Sequence, residues 1–411
     1  MRSSKTREER LGRPLEPALT IPPPPIMTSE PGSFAHHTMT VRIPRIIDET
    51  LQLNSYPPEI ERSLQDLRLE ILSGLIRPLQ EIAPDRRRWA LLSRPHIMRP
   101  WLDVPWYWAE AFFYRRMLEA THYFQPGPWH RRDPFAPRKH PELAPDAAPR
   151  DVDALLAAAP LDTSGRFIAL LDASLWGNRL DLSHDVSKTF GRGEPDSDDA
   201  ANLLLDDTAR VWQYLSSRKP GRVSIIADNA GGEILTDLAL SDFLIDSRLA
   251  ARVDLHVKSY PFFVSDATMQ DVQKALDVLA VGGQHAAALT RRLKAHIDEG
   301  RLVIATHWFY TSPLYFRELP RDLSARYHRA ALVILKGDAN YRRLLGDAHW
   351  PPTVPFPRAV GSFPAPLVAL RTLKAELIVG LAAGRAERLA AEDPEWLVNG
   401  RRGIIQAWLP S

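Results

Sequence analysis

Not one cysteine occurs among the 411 residues, and this removes disulfides, thiolate nucleophiles and cysteine-held zinc or iron–sulfur centres together. Any metal must be bound by oxygen or imidazole. A dominant charge is also lacking. The 52 basic and 50 acidic residues leave a formal net charge of +2, too weak a field to argue for nucleic acid or an anionic membrane as partner. No run of about 18 apolar residues appears, and the opening MRSSKTREERLGRPLEP is charged with no apolar segment behind it of the kind a secretory signal needs. A soluble cytoplasmic protein is therefore expected. Three motifs are absent as well: there is no G-x-x-x-x-G-K loop, no H-E-x-x-H, and no G-x-G-x-x-G after the first predicted strand. His36 and His37 form a pair without a nearby third ligand and read as a surface feature.

What is present divides the chain into three parts. Residues 1–27 are polar, basic and then proline-rich (LTIPPPPIM), a composition that cannot offset its ordering entropy and predicts a disordered extension. Residues 28–150 read as a helical subdomain with its linker. Leu64, Leu67, Ile71 and Leu75 recur at three- and four-residue steps, and Trp101, Trp106, Trp108, Phe112 and Tyr114 supply an aromatic core. Proline and charge between Gln125 and Asp151 mark a long connection. From 151 to 411, apolar β-branched runs alternate with helical patterns: RFIALLDAS (166–174), RVSIIADNA (222–230), RVDLHVKSYPFFVSD (252–266), RLVIATHW (301–308) and ALVILKGDAN (331–340). This alternation predicts an α/β fold, a Rossmann-like three-layer α/β/α domain with a mostly parallel sheet.

In such sheets ligands bind beyond the carboxyl ends of the strands, so the residues there carry the chemistry. The predicted ends hold Asp172, Ser174 and Asn178; Asp228 and Asn229; Asp266; Thr306 and His307; and Lys336, Asp338, Asn340 and Arg342. Carboxylates with an amide and no close histidine pair describe a hard-cation site with positions left for water and substrate oxygens. Taken singly, Asp228, Asn229 and Asp266 each have a local explanation as the cap of a following helix. Lys336, Arg342, Arg371 and Lys374 near the same end suit an anionic oxygen cluster such as phosphate. Gly231 and Gly232, opening a helix, let backbone N–H groups approach an anion.

Five segments in order, SLWGNRLDLS, IADNAGGEILTDLAL, YPFFVSD, LKGDANYRRLLGD and LRTLKAEL, together with GSFAHHTMTVRIPRII and PWYWAEAFFYRR, closely resemble the metal-dependent damage-control phosphatase family. The likeness is to the branch of sugar-phosphate phosphatases and proteins named acidic residue methyltransferases (subfamily III), whose Arg-Thr-x-Lys signature falls on Arg371, Thr372 and Lys374. It runs from about Gly32 over nearly the whole chain. The resemblance implies a helical unit against a Rossmann-like domain, and a divalent metal (Mn²⁺, with Co²⁺, Ni²⁺ or Mg²⁺ as alternatives) on Asp228, Asn229 and Asp266, which are also the catalytic residues. It implies substrate contacts from Asp338, Ala339, Asn340, Tyr341, Arg342 and Lys374, a ligand-contacting Glu233, and Glu110 and Arg115 as walls on the helical side. Ala339 stands where the family usually has a larger aliphatic residue, and Gly232 where it has a bulkier one.

The expected activity is therefore a metal-dependent phosphomonoesterase acting on small sugar phosphates such as fructose 1-phosphate, or on related damaged phosphometabolites. Two alternatives follow from the same residues. One is an S-adenosylmethionine-dependent protein-glutamate carboxyl methyltransferase, against which stands the lack of a glycine-rich turn after the first predicted strand. The other is a non-catalytic metabolite-binding protein on the same fold.

Overall fold

The computed structural model describes residues 23–143, 148–159, 162–177 and 202–410; Asn178 and the first 22 residues lie outside them. The helical unit is built on α1 (Ile43–Leu53), α2 (Pro58–Ser73) and α3 (Trp106–Ala120). Prolines in the first turns of α1 and α2 cost nothing, because an N–H there has no partner in the helix. α2 buries Ile60, Leu64, Leu67 and Ile71. Leu75, expected on the same stripe, lies past the helix end and is 42% exposed. α3 is buried on nearly every side, which an apolar helix requires when it forms the centre of a layer. Phe112 stacks against Trp101 and Trp108 there, with ring centroids 5.7 and 5.1 Å apart.

The stretch 166–174, expected as the first strand, is helical: it belongs to α4 (Thr163–Trp176), capped by the Asp162 side chain accepting from the Gly165 N–H. A helix with several buried faces shows the same continuous apolar run as a buried strand, and the Asp-Thr start signal distinguishes the two.

Seven strands form one sheet: β1 (Leu203–Asp206), β2 (Gly221–Ile226), β3 (Ala250–Val257), β4 (Leu302–Thr306), β5 (Ala330–Lys336), β6 (Leu367–Thr372) and β7 (Gly403–Trp408). Their order is β1-β7-β6-β5-β2-β3-β4, and every pair is parallel except β6 with β7. The mostly parallel α/β expectation holds. The run 252–266 is a strand only as far as Val257; its remainder is a loop. β1, β6 and β7 were not anticipated.

Side chains of β2 and β5 alternate between two cores. Val223, Ile225, Leu332 and Ile334 face one, with helices α4, α5 (Gly232–Asp246), α6 (Met269–Ala280) and α7 (Gln284–Asp298). Ile226, Val333 and Leu335 face the other, with α8 (Gly337–Leu345). This period of two on a sheet covered on both sides is the three-layer arrangement. The helical unit has a third core that also takes in Tyr260 and Phe262 from the loop after β3. Residues 24–27, expected within the mobile extension, instead stitch the units together: Ile26 is fully buried, donates its N–H to the Asp347 carbonyl and accepts from the Trp106 N–H.

Candidate active site

The strand order reverses between β2 and β5. The chain runs outward from β2 through β3 to β4, then returns to β5 on β2's other side. Such a switch point leaves a crevice at the strand ends, and Asp228 (after β2) and Asp338 (after β5) both line it. A cavity of about 500 Å³ opens here, its other wall supplied by the helical unit through Arg42, Glu49, Trp106, Glu110 and Arg138.

Asp266 reaches this point by an unusual path. The loop after β3 contains Phe263 and Val264 in succession at φ 46° and 57°, a left-handed conformation that a β-branched residue rarely adopts. Strain of this kind persists where the surroundings impose it. The Ala230 N–H donates to the Ser265 carbonyl (2.7 Å) and the Ala267 N–H to the Asp228 carbonyl (2.8 Å), and Asn229 and Asp266 form an isolated antiparallel bridge. Phe263 is held by Tyr107 and Tyr114 at 5.7 and 4.9 Å. The two carboxylates are thus fastened side by side across 38 residues of sequence. Neither caps a helix: the cap position of α5 is Gly231, at φ 76°, and α6 is capped by Thr268 in a reciprocal box with Asp271.

Asp228 is buried, and its Oδ1 has no hydrogen-bond partner among the described residues. Its Oδ2 accepts from Asn229 Nδ2 (3.1 Å), which also donates to Glu233 Oε2 (2.9 Å); Ser265 Oγ donates to Asn229 Oδ1 (2.6 Å). Burial, then the Asp266 and Glu233 carboxylates, push the Asp228 carboxyl well above its usual range. Asp266 is raised by burial against the pull of Lys258, whose Nζ lies 2.9 Å from Oδ2. Gly337, at φ 81°, leaves no room for a side chain: an added Cβ would sit 1.9 Å from Asp228 Oδ2.

Two crowded carboxylates, an amide oxygen and an unsatisfied buried carboxylate oxygen fit a hard divalent cation, which would relieve the repulsion that burial magnifies. Among the described residues no group of three or more His, Asp or Glu side chains is arranged to hold a metal; a third protein donor would have to be the Asn229 amide oxygen, which here accepts from Ser265 Oγ.

The remaining expected residues separate into two sets. Asp338, Ala339, Arg342, Lys374 and Glu110 line the cleft with the Asp228 group. Glu233 lies behind Asn229, held by Lys336 (3.0 Å), which also pairs with Asp237 (2.7 Å), itself accepting from Ser174 Oγ. Asn340 donates to the Lys336 carbonyl, and the Tyr341 hydroxyl donates to Gln406; both side chains are buried away from the cleft. Arg115 is not part of the wall. It is fully buried between Glu81 and Asp85 in the helical unit, under the Phe124 ring. His307 pairs with Asp322, likewise outside the cleft.

Of the four cations expected to meet an anion, Lys336 is spent on Glu233 and Asp237, Arg342 on Asp347 and Glu110, and Arg371 on Asp338. Lys374 alone of these has an exposed side chain, its backbone N–H donating to Asp338 Oδ1 (3.0 Å). Sequence reasoning missed Lys258, Gly337 and the helical arginines; a lysine directly after a buried strand was the one available signal for the first.

The family description "Damage-control phosphatase ARMT1-like domain" matches residues 38–389. The chain is 33% identical to the damage-control phosphatase ARMT1 of Danio rerio, with 94% of this chain and 97% of that protein covered. It is 34% identical to the Mus musculus protein of the same name, with 93% and 97% covered. A crystal structure of a DUF89 family protein from Pyrococcus horikoshii superimposes with a TM-score of 0.51 at 15% identity, over 91% of this chain and 97% of that one, a likeness of fold. Carrying this domain over most of its length, the chain belongs to the damage-control phosphatase ARMT1-like family.

Proposed function

We propose that this protein hydrolyses small phosphate monoesters, sugar phosphates such as fructose 1-phosphate among them, with a divalent cation bound by Asp228, Asn229 and Asp266. The observation that carries the proposal is the buried, unpartnered Oδ1 of Asp228 beside Asp266 at the switch point, in a family whose relatives are named phosphatases. A bound divalent cation supplies Lewis-acid neutralisation of charge on phosphoryl oxygens. Lys374, the exposed cation of the α/β wall, holds a remaining phosphoryl oxygen. Glu110 and Asp338 offer carboxylate oxygens to sugar hydroxyls, and Ala339 widens the cleft where the family has a bulkier residue.

In the net reaction water delivers oxygen to phosphorus, the ester P–O bond breaks, and the alcohol oxygen departs with a proton. Asp228 acts either by attacking phosphorus, giving an aspartyl phosphate that water then cleaves, or by orienting the water directly. Rapid acid quench with ³²P-labelled substrate separates the two by the presence or absence of labelled protein. The activity itself is tested by phosphate release from a sugar-phosphate panel with manganese, cobalt, nickel and magnesium compared. Release that chelation abolishes and Asp228→Ala removes is expected. No release from any ester, or full activity in Asp228→Ala, overturns the proposal; transfer of label from S-adenosylmethionine to a carboxylate would replace it.

A further inference from the structure

The wall facing Asp228 and Asp266 is built from α3, through Trp106, Glu110 and Tyr114, and from one face of α1 with the turn that precedes it. A π-helical turn, Thr38–Arg42, runs directly into α1, and Arg42, Arg45, Ile46 and Glu49 follow at three- and four-residue steps, the spacing that places side chains on a common face. All four line the cleft, and Arg138 joins them from the connection beyond α3.

The charges on this wall do not cancel. Glu49 is shared by Arg45 (2.8 Å) and Arg138, so one carboxylate serves two guanidinium groups. Arg42 has no carboxylate partner among the described residues; its guanidinium lies 5.0 Å from the Phe34 ring centroid. Of the other cleft-lining cations, Lys139 is committed to Asp133 and Asp271 and Arg342 to Asp347 and Glu110, while Lys374 stands on the opposite, α/β wall with the Asp228 group. The arginines are also reachable, the Arg45 side chain being 77% and that of Arg138 52% exposed. A solvated helix face would account for exposed arginines on their own. It does not account for their convergence on the cleft from two separate segments, nor for the π turn that sets the helix register at Arg42, a distortion that concentrates at functional sites.

We propose that Arg42, Arg45 and Arg138 form a second anion subsite, and that the preferred substrates carry two acidic groups. Resting on the hydrolase reading above, this assigns the phosphate to be removed to the Asp228–Asp266 end and a second phosphate or a carboxylate to the arginine wall. Guanidinium forks match both groups in two-point hydrogen bonds. The bonds made and broken are those of the monoester hydrolysis, and the second acid leaves unchanged on the alcohol product.

The test uses the full-length protein with manganese and two matched pairs: fructose 1,6-bisphosphate against fructose 1-phosphate, and 6-phosphogluconate against glucose 6-phosphate. In the wild type kcat/KM is expected to favour the doubly acidic member of at least one pair by about tenfold, the scale of one charge-assisted hydrogen bond, and added salt should shrink the ratio. Whether the first pair, the second or both respond shows which second acid is accepted. Arg45→Gln with Arg138→Gln should bring the ratio close to one, while the paired lysine substitutions should keep most of it. A wild-type ratio near one in both pairs at low salt, or an unchanged ratio in the glutamine variant, overturns the subsite alone. Absence of phosphate release from all four esters overturns the hydrolase reading, and the subsite with it.

Discussion

The charges buried beneath the cleft and those left without an ionic partner on its lining behave in opposite ways. Beneath, Lys336 and Arg371 are fully buried and each is matched to carboxylates within 3.0 Å. At the surface of the cleft, Lys374 is exposed, Arg42 lacks a carboxylate partner among the described residues, and Asp228 keeps an oxygen without a hydrogen bond. A buried ion that loses its partner is costly, so the fold chooses that partner once and permanently. Ligands are left with what the fold has not paired. Nearness to a strand end therefore does not make a cation a ligand contact; its partner decides.

Asp228 stands between the two sets, buried like the lower and without a cation like the upper. Asp228→Asn should cut kcat/KM by about a thousandfold or more, as loss of a central electrostatic group in an active site does. The thermal midpoint should not fall, because the substitution removes a charge that burial, Asp266 and Glu233 all disfavour. A variant that lost activity and stability together would move Asp228 into the structural set. Lys336→Met should do the reverse. It leaves the Glu233 and Asp237 carboxylates buried without their cation, and about 3–5 kcal/mol of stability is expected to go, read from denaturant unfolding. A loss below about 1 kcal/mol would mean that those carboxylates find water, and that the site extends deeper than its lining.

How much of this distinction was legible in the sequence depended on range. Asp228, Asn229 and Asp338 follow their strands within three residues, so predicting the strand nearly places the side chain, whereas Lys374 follows β6, which the sequence pattern does not mark. Asp266 was legible as a polar residue after an apolar run, but the strand stops at Val257 and the intervening loop depends on left-handed Phe263 and Val264, conformations that no propensity predicts. Arg115 was misplaced because a helical arginine beside aromatics looks the same from sequence whether it turns toward a cleft or toward Glu81 and Asp85. The 166–174 segment reads as a strand and folds as a helix because continuous apolar character marks burial before it marks strand or helix. Pairing across 100 residues, such as Lys336 with Glu233, leaves no local trace at all.

A third probe lies within the sheet. His256 on β3 is buried against Tyr310 and Tyr327, and neither ring nitrogen has a hydrogen-bond partner among the described residues. Burial pushes its pKa down to about 4. The unfolded chain therefore takes up the proton first, near pH 6.5. The neutral imidazole's contribution is fully present above about pH 6.5 and is lost as the pH falls from there toward 4. Between pH 7.5 and 5 the wild type should lose about 2 kcal/mol more stability than His256→Phe, as pairs of unfolding curves would record. Equal losses would mean that the ring is protonated, or reaches water, in the native state.

The smallest effect is expected at Lys374, and it tests the lining set from the opposite side to Lys336. Its side chain is exposed and has no ionic partner among the described residues, while its backbone N–H is tied to Asp338. Removing the ammonium therefore strands no buried carboxylate, and the folding midpoint of Lys374→Ala should stay within about 0.5 kcal/mol of the wild type, as for an ordinary surface substitution. What it should lose is one charge-assisted contact to a phosphoryl oxygen, about tenfold in kcat/KM. An arginine at this position restores the charge on a differently shaped head, so Lys374→Arg should recover part of that loss. Were Lys374→Ala to leave kcat/KM unchanged for every phosphate ester, an exposed cation at this strand end would carry no more functional meaning than a paired one.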